Sequence, residues 1–283
     1  MIQQAGYLPK RQRGIKGSYP PAHYVLNRWP HSLPQFEYKA RQKAGKSHII
    51  RLFLSAGGAV PKSGHLNPAA LYPNQLKQLA DQVSQHRHRA HYHTPQHSYQ
   101  VMMAVGLLGA ASGLKSAELS LLMLAALIHD LDHLGRYQSP EKAGQEKWSL
   151  RKAFGILSRS GLHYQTRGDL ERLILATCPD LTAGLLSKSS AKLARLLVDA
   201  DLFGSLFFSQ KTVRQLTQAL KHENRLATDW TLLLSGFLDK AKQVHPASAA
   251  AQKLHNTRLD GYSYFGNANL AKTGGGKGST QHE

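Results

Sequence analysis

Residues 119–128 constrain the fold of this 283-residue chain more than any other segment, because they are apolar on nearly every side of a helix. A helix of that kind belongs in a protein interior. The segment ends directly in His129 and Asp130, so it carries an imidazole and a carboxylate into the core. Burying an unpaired carboxylate is costly, so Asp130 needs a compensating cation. A metal ion is the simplest such partner, and a structural hydrogen bond between His129 and Asp130 is the alternative.

Most of the chain after residue 70 has the apolar spacing of helices. Gly113 ends one predicted helix, and Ser116 with Glu118 can cap the next. No alternating pattern of any length indicates a strand, so the sequence predicts an all-α core. The predicted helices cover residues 76–83, 98–108, 119–130, 150–157, 170–177, 193–203, 213–220 and 230–242.

Composition divides the chain into three parts. Residues 1–70 are rich in basic residues and prolines, and Glu37 is their only carboxylate. Because prolines interrupt long helices, this part is predicted to be a basic, loop-rich arm with at most short elements. Residues 71–265 are predicted to form one helical domain. Residues 266–283 are glycine-rich with little to bury, which predicts a disordered tail.

The charge and cysteine content limit the partners and the compartment. A net charge of +19 attracts polyanions such as nucleic acid, nucleotides or acidic membrane surfaces, although a solvated basic surface that serves solubility is equally compatible. The single cysteine, Cys178, excludes a disulfide framework and favours a reducing compartment, so we expect a cytoplasmic protein. No apolar stretch reaches the roughly 20 residues of a membrane span.

Two further clusters contain candidate ligands. His93 and His97 are four residues apart and share one face if a helix begins there, although histidine-rich runs are often solvated surface. In the segment 193–203, Asp201 lies on the apolar stripe and is predicted to face inward. Asp199 lies on the polar stripe and is predicted to be an exposed partner of Arg195.

Two imidazoles and two carboxylates that converge in a helical core make a mixed nitrogen and oxygen site. Such a site suits zinc, iron, manganese or a pair of zinc and magnesium ions. Two ions about 3.5 to 4 Å apart polarise a phosphoryl group and lower the pKa of a water molecule between them. This chemistry predicts hydrolysis of a phosphate ester.

The order of these motifs resembles the HD-domain superfamily of metal-dependent phosphohydrolases, and more closely the catalytic domain of class I 3',5'-cyclic nucleotide phosphodiesterases. Tyr92-His93 followed by His97 resembles that family's Tyr-His-Asn-x-x-His motif, and residues 129–135 match His-Asp-x-Asp-His-x-Gly. Leu175-Ala176-Thr177 and Ala200-Asp201-Leu202 follow in the expected order. The resemblance covers residues 85–240 and implies an all-α, HD-domain and phosphodiesterase-like helical bundle.

The resemblance also implies roles for individual residues. Asp130 would bridge two divalent ions, Zn²⁺ with Mg²⁺ or Mn²⁺, with iron also possible. His93 would be the general acid that protonates the leaving oxygen, and the nucleophile would be a metal-bridged hydroxide. His133 would lie near that hydroxide, and Glu146 would hold metal-bound water. The ligands of the first ion would be His97, His129, Asp130 and Asp201.

The implied substrate is a small nucleotide or another phosphodiester, with Tyr92 and Phe237 in its binding site. Thr94 stands where the family has asparagine, and Leu234 stands where it has a glutamine that reads the purine. Because leucine cannot exchange hydrogen bonds with a base edge, substrates other than cyclic AMP and cyclic GMP stay open. Phe237 is still able to stack on a base.

Two other functions also fit the sequence. Myo-inositol oxygenase and its relatives place a di-iron centre on a similar helical scaffold, and they need further histidine ligands, for which His133 and His163 are available. The other function is nucleic-acid binding, in which the basic arm contacts a polyanion and the metal site is structural.

Overall fold

The computed structural model describes residues 22–56, 71–85, 90–133, 143–158, 164–187, 191–224 and 247–257. Within these ranges the regular structure is helical and contains no strand, which confirms the predicted all-α class. In chain order the helices are α1 Ala22–Asn27, α2 Leu33–Ala40, α3 Lys46–Ser55, α4 Pro73–Gln85, α5 Pro95–Ala111, α6 Ser116–Ile128, α7 Gly144–Leu157, α8 Tyr164–Leu175, α9 Pro179–Leu186, α10 Lys192–Asp201, α11 Phe203–Phe207, α12 Gln210–Asn224 and α13 Ala249–Asn256.

The helices predicted between residues 76 and 220 are all present, with small shifts at their ends. Helix α5 stops before Gly113, whose φ of 61° suits the left-handed turn that follows a helix. Glu118 caps α6 by accepting the backbone N–H of Lys115 at 2.8 Å, so Ser116 is the first helical residue and not the cap. The predicted helix at 230–242 and the tail at 266–283 lie outside the described residues.

Helices α5 and α6 form the centre of the core. Every residue from Leu122 to Ile128 has an exposed fraction of 0%. The two helices approach closely at Gly109, where a Cβ atom would lie 2.6 Å from the Leu119 side chain. Helix α10 packs against both. The ends of these three helices therefore bring residues 97, 129, 130 and 201 to one place. No helix within the described ranges has the length and apolar character needed to cross a membrane.

Residues 22–56 differ from the predicted basic arm, because they form α1 to α3 and contribute to the core. Phe36 and Phe53 are at most 1% exposed and belong to the same apolar cluster as α5 and α6. The carboxylate of Glu37, which is 5% exposed, accepts hydrogen bonds from the backbone N–H of Ser209 at 3.0 Å and from its hydroxyl at 2.7 Å. Pro34 does not interrupt a helix, because it lies in the first turn of α2. A boundary at residue 70 therefore does not separate this part from the core.

Candidate active site

The start of α5 positions His97. Thr94 is the N-cap residue of α5, and its hydroxyl accepts the backbone N–H of His97 at 3.4 Å. Pro95 follows in the first turn, where its missing N–H costs nothing. Thr94 therefore caps this helix in place of the family's asparagine. Because α5 begins at Pro95, His93 lies before the helix and does not share a helical face with His97, although their ring centroids are 5.8 Å apart.

The end of α6 orients His129. Its Nδ1 lies 3.0 Å from the carbonyl oxygen of Ala126, so Nδ1 donates a proton there and Nε2 is the nitrogen left to bind a cation. His129 is 1% exposed. Asp130 follows it, and Asp201 is the last residue of α10. Each of these side chains is thus held by the end of a core helix.

Ligand atoms of four residues lie within 4.8 Å of one another, and these residues are His97, His129, Asp130 and Asp201. Nε2 of His97 lies 2.9 Å from Oδ1 of Asp201. Nε2 of His129 lies 3.0 Å from Oδ2 of Asp130, yet both atoms are buried and have no hydrogen-bond partner of acceptable geometry. Buried polar atoms without partners are rare in proteins. Their convergence with a second imidazole and a second carboxylate fits a divalent cation of mixed nitrogen and oxygen preference.

Charge interactions between these side chains oppose the effect of burial on their pKa values. Burial raises the pKa of Asp130, but the neighbouring His129 and His93 lower it more, so the net pKa lies well below its usual range. Burial lowers the pKa of His129, but Asp130 and Asp201 raise it well above its usual value. Burial raises the pKa of Asp201, but its interactions with His129 and His97 lower it more, so the net pKa is lowered as well. The two carboxylates therefore present negative charge to whatever cation lies between them.

Glu223 on α12 belongs to the site, and sequence reasoning missed it. Its side chain is 1% exposed, and its Oε1 is hydrogen-bonded to Nδ1 of His93. Its other oxygen accepts the backbone N–H groups of Tyr92 at 2.7 Å and His93 at 3.1 Å. Glu223 continues the stripe that begins with Val213 and Thr217 on α12. The stripe argument that singled out Asp201 could therefore have found it.

The Glu223 contact also fixes the protonation of His93. Burial lowers the pKa of His93, but the charge of Asp130 and the hydrogen bond and charge of Glu223 outweigh it, so its pKa is raised. The same interaction holds the pKa of Glu223 down at about 2, although burial opposes it. Nδ1 of His93 thus faces Glu223, and its Nε2 side faces away from that carboxylate.

His133 lies beside His93, and the two rings stack with centroids 3.7 Å apart and planes at 17°. Glu146 lies in the first turn of α7, which is tied to the end of α6 by a 2.9 Å hydrogen bond from the Ser149 hydroxyl to the carbonyl of Leu131. Burial raises the pKa of Glu146, and a hydrogen bond to its own backbone opposes this effect. The charges of Asp130 and Asp201 raise it further, so the net pKa is raised.

The remaining site predictions have different outcomes. Tyr92 is 9% exposed, and its ring centroid lies 4.8 Å from that of His97. The structure therefore places Tyr92 among the clustered histidines. Burial raises its pKa, as do the nearby carboxylates. Phe237, Leu234 and His163 lie outside the described residues.

The prediction that Asp199 is an exposed partner of Arg195 is wrong. Asp199 is 0% exposed, and its carboxylate accepts the backbone N–H groups of Ala247 at 2.9 Å and Ser248 at 2.8 Å. Arg195 donates instead to the carbonyl oxygen of Leu186 at 2.7 Å. Ala247 and Ser248, which lead into α13, cover the polar stripe of α10 at Asp199. A helical-wheel argument considers one helix alone and cannot predict this contact.

No protein-family model matches the sequence, and no curated protein sequence is significantly similar to it. Solved structures share its fold. The phosphodiesterase domain of the RhoPDE fusion protein from the choanoflagellate Salpingoeca rosetta is 19% identical, with a TM-score of 0.62 over 89% of this chain and 96% of that chain. LmjPDEB1 in complex with IBMX is 17% identical, with a TM-score of 0.54 over 90% of each chain. The predicted phosphodiesterase-like fold is therefore confirmed.

Proposed function

We propose that this protein is a metal-dependent hydrolase of phosphodiesters, with His97, His129, Asp130 and Asp201 as the ligands of a divalent cation. The observation that carries the proposal is the convergence of four ligand atoms within 4.8 Å, two of which are buried without a hydrogen-bond partner. The shared fold with phosphodiesterase domains supports it. When bound, divalent ions polarise a phosphoryl group and make hydroxide available near neutral pH.

The protein's own residues would bind the ions and handle the protons. His93 is the general acid in this proposal, because its raised pKa favours the protonated imidazole that a general acid needs. Glu223 holds the ring by accepting the Nδ1 proton, which leaves the Nε2 proton for the leaving oxygen. Glu146 retains a proton more readily than an ordinary glutamate and would orient water beside the site.

The substrate class in this proposal is a small nucleotide diester, with 3',5'-cyclic nucleotides as the first candidates. One of the similar structures is a phosphodiesterase domain, and the order of the histidine and aspartate motifs in this chain agrees with that activity. Leu234 in place of the family's glutamine argues against strict purine recognition. A contact of the basic N-terminal residues with polyanions and a cytoplasmic location stay predictions.

The proposal is tested by measuring the turnover of two classes of diester in His93→Ala. With an unactivated substrate such as a cyclic nucleotide, we expect kcat to fall by about 10² to 10⁴, the usual contribution of a general acid. With a nitrophenyl diester the loss should be much smaller, because nitrophenolate leaves without protonation. The content of tightly bound metal in the four-residue cluster, measured on the same samples, should match that of the wild type.

His97→Ala is the matched control, because it changes a histidine of the same cluster that is proposed as a ligand. This variant should lose metal and fail on both kinds of substrate. Equal losses on activated and unactivated diesters in His93→Ala would contradict the role of His93 as the acid. Absence of turnover by the metal-loaded wild-type protein on every cyclic nucleotide and generic diester would contradict the proposed function itself.

A further inference from the structure

Asp132 has a backbone conformation that L-amino acids rarely adopt. Its φ is 60°, in the left-handed region, and Ala143 is the only other non-glycine residue within the described ranges with a positive φ. This conformation costs free energy in a residue with a Cβ atom, and such residues are concentrated at functional sites. Asp132 lies two positions after Asp130 and directly before His133, so its conformation sets the direction of the chain inside the candidate active site.

The conformation of Asp132 places His133. The backbone N–H of His133 donates to the carbonyl oxygen of Asp130 at 3.1 Å, which closes a four-residue turn with Asp132 as its third residue. Turns that need a positive φ at the third residue usually have glycine or asparagine there. A change of φ from 60° to a common value near −60° would rotate His133 by roughly 120° about the N–Cα bond of Asp132. The ring of His133, whose centroid lies 3.7 Å from that of His93, would then lose its stacked position.

The charge of the Asp132 side chain contributes less than its backbone does. Its carboxylate pairs with Lys152 on α7 at 3.2 Å, but the two side chains are 37% and 43% exposed, and ion pairs with such exposure stabilise little. The buried Ser149 hydroxyl holds the turn independently of this pair, because it donates to the carbonyl oxygen of Leu131. Aspartate is one of the few residues with a Cβ atom that adopts the left-handed region readily. Position 132 therefore requires a backbone conformation more than a charge.

We propose that Asp132 is a positioning residue, whose left-handed conformation holds the imidazole of His133 against that of His93. The two rings stack on the side of the site where Asp130 also offers a ligand atom. Displacement of His133 would remove the contact on one face of the His93 ring, so that this ring would no longer be held in a single orientation. The consequence for turnover rests on the proposed function of His93, whereas the placement of His133 does not.

The first experiment observes the two rings by NMR of the full-length protein with ¹³C-labelled histidine and the same metal content in every sample. Stacked imidazoles shift each other's ring-proton resonances upfield, and His93→Ala identifies the resonances of His133 that depend on stacking. We expect Asp132→Gly and Asp132→Asn to keep these shifts, because both residues adopt a positive φ readily. Asp132→Val should lose them, because a β-branched residue strongly disfavours this conformation. All three variants remove the charge and the ion pair, so they separate backbone preference from charge.

Two results of this experiment would overturn the proposal. Loss of the shifts in Asp132→Gly and Asp132→Asn as well as in Asp132→Val would show that the charge is what the position requires. Unchanged shifts in Asp132→Val would show that the conformation does not place His133. Asp132→Ala keeps the test valid if Asp132→Val fails to fold, because alanine has a smaller steric penalty. Its shifts should be weaker than those of Asp132→Gly, and equal shifts in these two variants would also overturn the proposal.

The second experiment measures kcat and KM on an unactivated diester. Asp132→Val should lower kcat by about 10², the effect of misplacing a group in the site by about 1 Å, with little change in KM. Asp132→Gly should restore most of this loss, and Lys152→Met, which removes the ion pair alone, should resemble the wild type. Equal losses of kcat in Asp132→Gly and Asp132→Val would contradict the positioning role. If the NMR shifts follow the backbone preference but the wild-type protein hydrolyses no diester, the role of Asp132 stands and the proposed function fails.

Discussion

The His93 and Glu223 pair shows how single residues set the chemistry of the site. His93 is buried, which alone would favour its neutral form, yet neighbouring carboxylates raise its pKa. Glu223 makes the direct hydrogen bond, and its other oxygen holds the backbone of the same segment. Glu223 therefore fixes the position of the proposed acid and, together with Asp130, raises its pKa.

Glu223→Gln should shift the pH dependence of catalysis. Glutamine keeps the size of the side chain but loses its negative charge, so the pKa of His93 should fall. A hydrogen bond to a charged group is worth about 1.5 to 3 kcal/mol, which corresponds to about one to two pH units. Because His93 acts in its protonated form, activity should fall as the pH rises through the pKa of His93. In Glu223→Gln this fall should occur at a lower pH than in the wild type. The measurement is kcat/KM against pH on an unactivated diester.

Glu171→Gln is the control for that experiment, because it makes the same chemical change at an exposed position on α8. Its pH profile should match that of the wild type. An unchanged profile in Glu223→Gln would show that Glu223 does not control the protonation of His93. Loss of bound metal in that variant would show that Glu223 acts on the four-residue metal cluster instead.

At the scale of elements, α10 carries two aspartates with separate tasks. Asp201 at its end joins the candidate metal cluster. Asp199 holds the chain that leads into α13 through two backbone hydrogen bonds and is completely buried. Asp201 was predicted from the apolar stripe of the helix, but the role of Asp199 depends on a segment about 50 residues later in the chain, which local periodicity cannot reveal.

Asp199→Ala should therefore lower stability without removing metal. Two buried N–H groups lose a charged acceptor, which should decrease the free energy of unfolding by about 3 kcal/mol. Asp201→Ala should instead lose its metal. Urea unfolding together with metal analysis of both variants makes the comparison. Asp199→Asn, which keeps one acceptor oxygen, should lose less stability than Asp199→Ala. A small effect of Asp199→Ala on unfolding would contradict its structural role.

The same limit of local patterns explains which parts of the site were predictable. His97, His129, Asp130 and Asp201 could be named because each lies at the start or end of an apolar helix or on its apolar stripe. The buried stripe of α12 could have marked Glu223 as an inward carboxylate, but it could not have shown that Glu223 contacts His93. The two residues are 130 positions apart, and the packing of α12 against the segment before α5 brings them together.

At the scale of the whole molecule, the core includes chain that composition alone assigned to a basic arm. Arg41 contacts Thr212 at 3.0 Å and Gln215 at 2.6 Å on α12, and Lys46 pairs with Asp81 at 3.0 Å. Arg41 at the end of α2 and Lys46 at the start of α3 thus connect these helices with the rest of the protein. The prediction rested on basic charge and prolines, but Pro34 lies in the first turn of α2 and α3 contains no proline.

Phe36→Ala tests the contribution of these helices to stability. Phe36 is 1% exposed and packs against Phe203 with ring centroids 5.4 Å apart. Truncating it should decrease the free energy of unfolding by about 3 to 5 kcal/mol, as is usual for a buried phenylalanine. Tyr38→Ala is the control on the same helix, because Tyr38 is 66% exposed, and its effect should be small. Similar unfolding curves for both variants would contradict the inclusion of α2 in the core.

The most direct test of the central claim is metal content and diester hydrolysis measured together in Asp130→Ala. Asp130 offers a ligand atom to the cluster with His97, His129 and Asp201 and also lies within 4.8 Å of ligand atoms of His93 and His133. We predict that the wild-type protein, stripped by a chelator and reloaded with Zn²⁺ and Mg²⁺, regains hydrolysis of a phosphodiester. Asp130→Ala should remain folded by circular dichroism but bind less metal and show no hydrolysis under the same conditions. Full metal content and full activity in Asp130→Ala would contradict the account.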